Sequence, residues 1–253
     1  MTATPQLYAF GISHYCEKAR WALDWRGIAF KEVRWPPGPH ILLARRQGAA
    51  GSSLPILRHA DEVIQGSGAI IDWAERMGGG PSLTPELDAE RALAIEARAD
   101  AVLGVHVRRF VYGATLTDHP ELVKPLLFDG VAPRLRTAAE AMWPMVRKTM
   151  IAGMDAGPEA APDSQVRIED ELDWLEERLA EGGGFLASGG FSRADLTVAS
   201  LLAPLARPDE APIYRDFSLP QPLAATVEAW RRRPLLQWVL TIYREHRRPV
   251  RPE

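Results

Sequence analysis

A glycine run at 78–80 divides the sequence into two parts with different hydrophobic patterns. Before it, short apolar segments alternate with segments of helical periodicity, which is typical of an α/β unit. After it, strand patterns nearly vanish, and apolar residues recur about every 3.6 positions over long segments. The sequence therefore predicts an α/β domain at 1–79, a linker at 80–87 and an all-helical domain at 88–246. A basic tail follows at 247–253.

Four strands and three helices are expected in the first part. The predicted strands, which are short runs bounded by turn residues, are 6–10, 29–35, 55–59 and 62–65. The predicted helices, which are amphipathic segments, are 15–27, about 39–48 and 67–77. Ser67 is a candidate N-cap for the third helix, because a serine side chain can accept a hydrogen bond from a free backbone N–H.

The apolar periodicity of the second part predicts six helical segments. They are 86–112, 120–152, 164–181, 193–206, 222–232 and 234–245. Pro144 predicts a kink or break in the second of them, since proline disrupts a helix interior. Ser192 and Asp195 have capping-box spacing at the start of the fourth. We expect this pair to stabilise the helix start rather than to catalyse a reaction.

Composition and charge limit the class of protein. The chain is 46% hydrophobic and 25% charged, as in soluble globular proteins. Its net charge of −3 argues against a general binder of nucleic acid or anionic membranes, because phosphate binding usually needs a concentrated basic surface. No metal-binding motif occurs among the six scattered histidines, so no metal site is expected.

Cysteine content and hydropathy indicate a cytoplasmic chain. Cys16 is the single cysteine, which excludes an intramolecular disulfide framework. The N-terminus lacks a signal-peptide pattern, and no apolar run approaches the roughly 20 residues that a membrane span needs. We therefore expect cytoplasmic residence, with neither nucleic acid nor a membrane as partner.

Four local sequences carry a resemblance to a known family. In order, they are SHYCEKARWAL from residue 13, SSLPIL from residue 52, QGSGAIIDW from residue 65 and FSRADLTVASLLAPL from residue 191. Together with the change from α/β to helical patterns, they resemble the glutathione S-transferase superfamily. The resemblance implies a thioredoxin-like N-terminal domain with a cis-proline, an all-helical C-terminal domain, glutathione as cosubstrate, and a homodimer.

The segment SHYC lies where the first strand passes into the first helix. It resembles the glutaredoxin-type Cys-Pro-Tyr-Cys turn, with Ser13 in place of the first cysteine. The resemblance implies that Ser13 donates a hydrogen bond to the glutathione sulfur and favours its thiolate. The alternative for Ser13 is a turn or cap residue. Cys16 shares an apolar stripe with Ala19 and Leu23, so we expect a buried, unreactive thiol rather than a catalytic one.

The resemblance assigns further residues to glutathione. Leu54 would bind its cysteinyl part through backbone groups, and Pro55 is the cis-proline position. Ser67 would bind the γ-glutamyl carboxylate at a helix N-terminus, with Gln65 assisting. The alternatives are a simple strand start at Pro55 and an ordinary N-cap at Ser67. Gly66 departs from the family pattern, in which an acidic residue or glutamine commonly precedes the serine.

Four residues are candidates for a pocket that binds the electrophile. His14 lies in the first turn, and a surface histidine is its alternative. His106, Arg109 and Tyr112 recur at three-residue spacing, roughly on one face of a helix. For these three the alternative is an ordinary packed helix with a basic outer edge.

These observations predict an enzyme that activates the thiol of glutathione for attack on a small, mostly apolar electrophile. One alternative is a non-catalytic binding or scaffold protein, since a fold does not determine function and Gly66 departs from the family pattern. Another is a thiol–disulfide oxidoreductase, which the absent first cysteine disfavours.

Overall fold

The structure is a computed structural model of the 253-residue chain, and it describes residues 4–187, 189–221 and 223–248. Residues 4–81 and 124–148 form one compact unit. Residues 82–123 and 149–247 form a second one. Within the described part of the chain, no helix combines the length and the apolar character needed to cross a bilayer. Residues 249–253 of the predicted basic tail lie outside the described residues.

The first unit is built on a four-stranded sheet. Its strands are β1 (Gln6–Ala9), β2 (Lys31–Arg34), β3 (Ile56–His59) and β4 (Glu62–Gln65). The spatial order is β2-β1-β3-β4. β1 pairs with β2 in parallel, which requires a crossover helix, and the other two pairings are antiparallel. The predicted thioredoxin-like arrangement is confirmed.

Three helices belong to this sheet. They are α1 (His14–Trp25), α2 (His40–Arg46) and α3 (Ser67–Met77). α1 is the crossover between β1 and β2, and it packs against α3. Leu7, Leu23, Ile56 and Ile70 are fully buried in the core between sheet and helices. Cys16 is fully buried in the same core, as the apolar stripe predicts.

The rest of the described chain is helical, which confirms the predicted class of the C-terminal part. The elements are α4 (Ala89–Arg98), a π-helical segment (Ala99–Leu103), α5 (Gly104–Thr117), α6 (Pro120–Leu127), α7 (Pro133–Ala141), α8 (Trp143–Gly153), α9 (Ala160–Glu181), α10 (Arg193–Ala206), α11 (Pro212–Arg215), α12 (Leu223–Arg231) and α13 (Pro234–His246). The short helix α11 lies between the predicted helices 193–206 and 222–232, where the sequence patterns predict no helix.

The segment predicted as one helix at 120–152 consists of three helices. The turn after α6 contains Gly130 with φ +66°, a conformation that favours glycine. Pro133 opens α7, where its missing N–H has no helical partner to lose. The predicted break at Pro144 is confirmed, because α7 ends at Ala141 and α8 begins at Trp143.

The central helix α10 begins with the predicted capping box. The Asp195 carboxylate accepts hydrogen bonds from the Ser192 N–H at 2.9 Å and the Ser192 hydroxyl at 2.6 Å. Its other oxygen accepts one from the Leu186 N–H at 2.8 Å. Burial raises the pKa of Asp195 to about 6, although these hydrogen bonds act to lower it. The box therefore also fixes the loop before the helix.

Candidate active site

The turn between β1 and α1 presents Ser13 at a helix N-terminus. The Ser13 Oγ accepts a hydrogen bond from the Cys16 N–H at 3.3 Å and caps α1. His14 is buried, and its ring lies 4.7 Å from that of Tyr15. Ser13 itself is half-buried. Because free backbone N–H groups and the helix dipole favour negative charge here, the hydroxyl lies where an anion such as a thiolate is stabilised.

Arg20 supports this turn from within the first unit. Its guanidinium donates to the Phe10 carbonyl at 2.9 Å and to both carboxylate oxygens of Glu32, at 2.8 and 3.0 Å. Burial acts to raise the pKa of Glu32, but the charges and hydrogen bonds of Arg20 and Arg34 hold that pKa below its usual value. Sequence reasoning missed this network. The feature of the sequence that could have indicated this network is Arg20 itself, a charged residue three positions before Leu23 and next to the apolar face of α1.

The Cys16 thiol is poorly suited to nucleophilic chemistry. Burial raises its pKa, although the charge of Arg20 and a hydrogen bond with the Ser13 side chain act to lower it. A thiol with a raised pKa is mostly protonated at neutral pH, so little reactive thiolate forms.

The peptide bond between Leu54 and Pro55 is cis, which confirms the predicted cis-proline. Both residues are buried, and Leu54 is 8% exposed. The Pro55 carbonyl accepts a hydrogen bond from the Gly66 N–H at 3.0 Å. The structure therefore brings together the two segments that the resemblance assigns to glutathione.

The side-chain amide of Gln65 is occupied by protein groups. Its Nε2 donates to the Ser53 carbonyl at 2.9 Å, and its Oε1 accepts from the Gly51 N–H at 2.9 Å. A further contact joins Nε2 and the Ser53 Oγ at 3.3 Å. Gln65 therefore holds the loop that leads into Leu54, a role that sequence reasoning did not give it.

Ser67 is the first residue of α3, and Gly66 occupies the N-cap position. The expectation that Ser67 is the N-cap was therefore wrong by one residue. Gly66 has φ +98° and ψ +146°, a backbone conformation that L side chains rarely adopt. The sharp change of direction between β4 and α3 explains the glycine. Ser67 is 6% exposed at the helix N-terminus.

Sequence comparison identifies the family of this first domain. Residues 7–82 match the family model described as the glutathione S-transferase N-terminal domain. The first domain is a glutathione S-transferase N-terminal domain. No curated protein sequence matches the chain.

Solved structures share the glutathione S-transferase fold over nearly the whole chain. A glutathione S-transferase domain-containing protein from Marinobacter aquaeolei is 22% identical, with 91% of this chain and 99% of that chain covered and a TM-score of 0.57. The β-etherase LigF from Sphingobium is 18% identical, with coverages of 94% and 99% and a TM-score of 0.60. Gtt2 from Saccharomyces cerevisiae is 20% identical, with coverages of 93% and 100% and a TM-score of 0.55. At these identities, the likeness shows the fold.

The candidates for an electrophile pocket on α5 lie in the second unit of this glutathione S-transferase fold. The His106 Nδ1 lies 3.2 Å from the Ser164 Oγ of α9, and burial, assisted by the charge of Arg109, lowers the pKa of His106. Arg109 donates to the carbonyl and the carboxylate of Asp155 at 2.9 and 2.7 Å. Tyr112 is half-buried. The contacts of His106 and Arg109 fit the alternative of an ordinary packed helix.

His40 lies beside the β1–α1 turn and was missed in the sequence. Its ring meets the edge of Phe10 at 5.0 Å, and its Nδ1 is buried without a hydrogen-bond partner among the described residues. Burial lowers the pKa of His40 to about 4, so the ring is neutral at pH 7. Its position at the start of α2, directly after a proline-rich bend, was the available signal.

Among the described residues, no group of histidine, cysteine and carboxylate side chains is arranged to hold a metal ion.

Proposed function

We propose that this chain is a glutathione transferase that activates the glutathione thiol for attack on a small, mostly apolar electrophile. The observation that carries the proposal is the position of the Ser13 hydroxyl at the N-terminus of α1, in a glutathione S-transferase N-terminal domain. A hydroxyl has one proton to donate and can accept as well. While its oxygen accepts from the Cys16 N–H, its proton can be donated to a sulfur anion.

Each part of the site has a role in this proposal. Ser13 stabilises the thiolate, and lowering a thiol pKa by two units corresponds to about 2.7 kcal/mol. The backbone of Leu54 aligns the cysteinyl part of glutathione beside Pro55, and Ser67 binds the γ-glutamyl carboxylate at the start of α3. Gln65 acts by holding the loop before Leu54. The thiol proton passes to solvent, and the bound thiolate attacks the electrophilic carbon and forms a C–S bond. With an aryl halide the carbon–halogen bond breaks and the halide ion leaves, and no covalent bond to serine forms.

Calorimetry with reduced glutathione and a conjugation assay with an aryl halide test this proposal. We expect Ser13→Ala to bind glutathione with similar affinity and to lose turnover by about tenfold to a hundredfold, the effect of removing one hydrogen bond to a charged group. Ser218→Ala, at an exposed serine of the second unit, is the matched control and keeps full turnover. Unchanged turnover in Ser13→Ala would reject Ser13 as the stabilising group.

A non-catalytic binding or scaffold protein is the second candidate function. The engagement of Gln65 with the 51–53 loop favours it, because this side chain is not directed to a ligand. A folded protein that gives no heat with millimolar glutathione would support this candidate. Binding without conjugation of any tested electrophile would support it as well.

A thiol–disulfide oxidoreductase is the third candidate, and the burial of Cys16 disfavours it. We expect wild-type protein to show no reductase activity and Ser13→Cys to gain some, since a cysteine there places a thiolate at the helix N-terminus. Wild-type reductase activity that is abolished by Cys16→Ser would reverse this assignment.

We further propose that the protein is a cytoplasmic homodimer acting in detoxification. The family resemblance supports the dimer, and the single cysteine fits a reducing compartment. Sedimentation velocity at micromolar concentration tests the oligomeric state. A monomer under these conditions would contradict the proposed dimer and leave the chemistry of Ser13 unaffected.

A further inference from the structure

Helix α2 and residues 124–148 are far apart in the sequence but belong to the same compact unit. Gly38, just before α2, lies so close to α8 that a Cβ added there would be 2.6 Å from the Val146 Cγ2. Arg34, at the end of β2, forms an ion pair with Asp129. The segment that leads into α2 therefore lies beside α8, and the end of β2 lies beside the turn after α6.

The two segments are strongly basic in an acidic chain. Together, 40–46 and 124–148 contain seven lysine and arginine residues and two carboxylates, whereas the formal net charge of the chain is −3. Both carboxylates are already paired: Asp129 with Arg34, and Glu140 with Arg136 at 3.0 Å. Arg45, Arg46, Arg134 and Lys148 are exposed. Much of the positive charge therefore faces solvent.

The same segments expose large apolar side chains. Ile41, Leu42, Met142 and Met145 are 36%, 54%, 41% and 59% exposed. They are four of the eight large hydrophobic side chains that are exposed among the described residues. We call these four, with the exposed basic residues of both segments, the basic–apolar surface.

Apolar and basic side chains of this surface share helix faces. Leu42 and Arg46 are four positions apart on α2, and Met145 and Lys148 are three apart on α8. Residues at these spacings are neighbours on one side of a helix. The surface thus combines flexible apolar groups with long cationic side chains, as interfacial helices do.

We propose that the basic–apolar surface binds the surface of an anionic lipid bilayer. Cationic side chains are attracted to acidic headgroups, and each contributes roughly a fivefold gain in partitioning. Apolar side chains beside them gain by entering the boundary between headgroups and acyl chains. A nucleic acid would use the charges and leave these apolar groups in water, so the combination favours lipid. Such a protein lies on the membrane and needs no spanning helix.

Co-sedimentation of the full chain with vesicles tests this proposal. We expect binding to phosphatidylcholine vesicles in which about a third of the lipid is phosphatidylglycerol, and little binding to phosphatidylcholine alone. Arg45→Glu combined with Arg46→Glu should weaken binding by about 25-fold or more, because at least two attractions are lost. The matched control is Arg232→Glu with Arg244→Glu, which changes the charge equally at exposed sites of the second unit and keeps binding.

A second pair of variants tests the apolar part. Leu42→Ser combined with Met145→Ser should reduce binding severalfold, whereas Leu93→Ser, at an exposed leucine of α4, should not. Equal vesicle binding by the Arg45→Glu/Arg46→Glu variant and by its Arg232→Glu/Arg244→Glu control would overturn the proposal. So would absence of binding to the anionic vesicles, or tighter binding to double-stranded DNA or to an acidic peptide than to these vesicles. Circular dichroism melts confirm that each variant folds. Glutathione binding is measured in a separate experiment, because the proposal of lipid binding does not rest on the proposed transferase activity.

Discussion

The amide of Gln65 donates a hydrogen bond to the Ser53 carbonyl over 2.9 Å, and it accepts one from the Gly51 N–H over the same distance. Two parts of the candidate glutathione site are thereby tied together: the end of β4 and the loop before the cis-proline. This relationship gives Gln65 a positioning role.

Gln65→Ala should raise the KM for glutathione severalfold and change kcat little, because the loop before Leu54 loses the hydrogen bonds of the Gln65 amide to Gly51 and Ser53 while Ser13 is untouched. Hydrogen exchange of the Gly51 amide should accelerate in the same variant, since its acceptor is lost. Gln65→Glu retains an acceptor for Gly51 and should exchange more slowly there than Gln65→Ala. A raised KM without faster exchange at Gly51 would indicate direct contact with the ligand instead.

Cys16 should resist thiol reagents in the folded protein at pH 8, because it is buried and burial raises its pKa. It should react readily once denaturant unfolds the chain. Cys16→Ala should lower the free energy of unfolding by about 1 kcal/mol, the order expected for one buried heavy atom, and should keep conjugation activity. Loss of activity in a stably folded Cys16→Ala protein would assign the thiol a catalytic role.

Gly66→Ala should lower the free energy of unfolding by about 1–3 kcal/mol, because an alanine is strained at φ +98°. A Cβ at this position meets no atom within 4 Å, so the cost comes from the backbone conformation and not from a clash. Gly79→Ala is the matched control, since its Cβ also meets nothing and its φ is not in the positive range. Equal denaturant midpoints for the two variants would contradict this explanation.

Asp195 should make stability depend on pH. Its pKa is raised to about 6 in the folded state, so the folded chain binds more protons than the unfolded chain between about pH 4 and pH 6. The stability contributed by this proton is present below about pH 4 and is lost as pH rises to about 6, by up to roughly 3 kcal/mol. Urea unfolding across this range measures the slope.

Asp195→Asn should flatten that part of the pH dependence, whereas Asp170→Asn, at an exposed residue of α9, should leave it unchanged. At pH 7, Asp195→Ala should also lower the free energy of unfolding by about 2–4 kcal/mol. The reason is that it leaves the buried N–H groups of Leu186 and Ser192 without their acceptor. An unaltered slope in Asp195→Asn would show that another group titrates there.

Much of the fold was predictable because its signals are local. Alternation of apolar residues, the spacing of Ser192 and Asp195, and the glycine run at 78–80 each act over a few positions. Helix ends were less predictable. The N-cap of α3 is Gly66 and not Ser67, because the course of the chain between β4 and α3 requires a positive φ at this position. The division of 120–152 into three helices likewise depends on the turns around Gly130 and Pro133.

The candidate site was predictable only in part. The motif placed Ser13 and Pro55 at a turn and a strand start, which are local features. The contacts of Gln65 with Ser53, and of Arg20 with Glu32, join residues on different elements and leave no periodic pattern. Hydrogen bonds of this kind depend on distances between elements, which a single sequence does not contain.

By itself, the sequence determined the order of strands and helices in the first domain, its α/β class and the burial of Cys16, because hydrophobic periodicity and residue conformation act locally. Only the tertiary structure decided that residues 124–148 join the first unit, and that the segment leading into α2 lies beside α8, so that the basic residues of both segments belong to one compact unit. The net charge of −3 conceals this cluster. A sum over the chain is insensitive to position, whereas electrostatic attraction in salt solution reaches only about 10 Å.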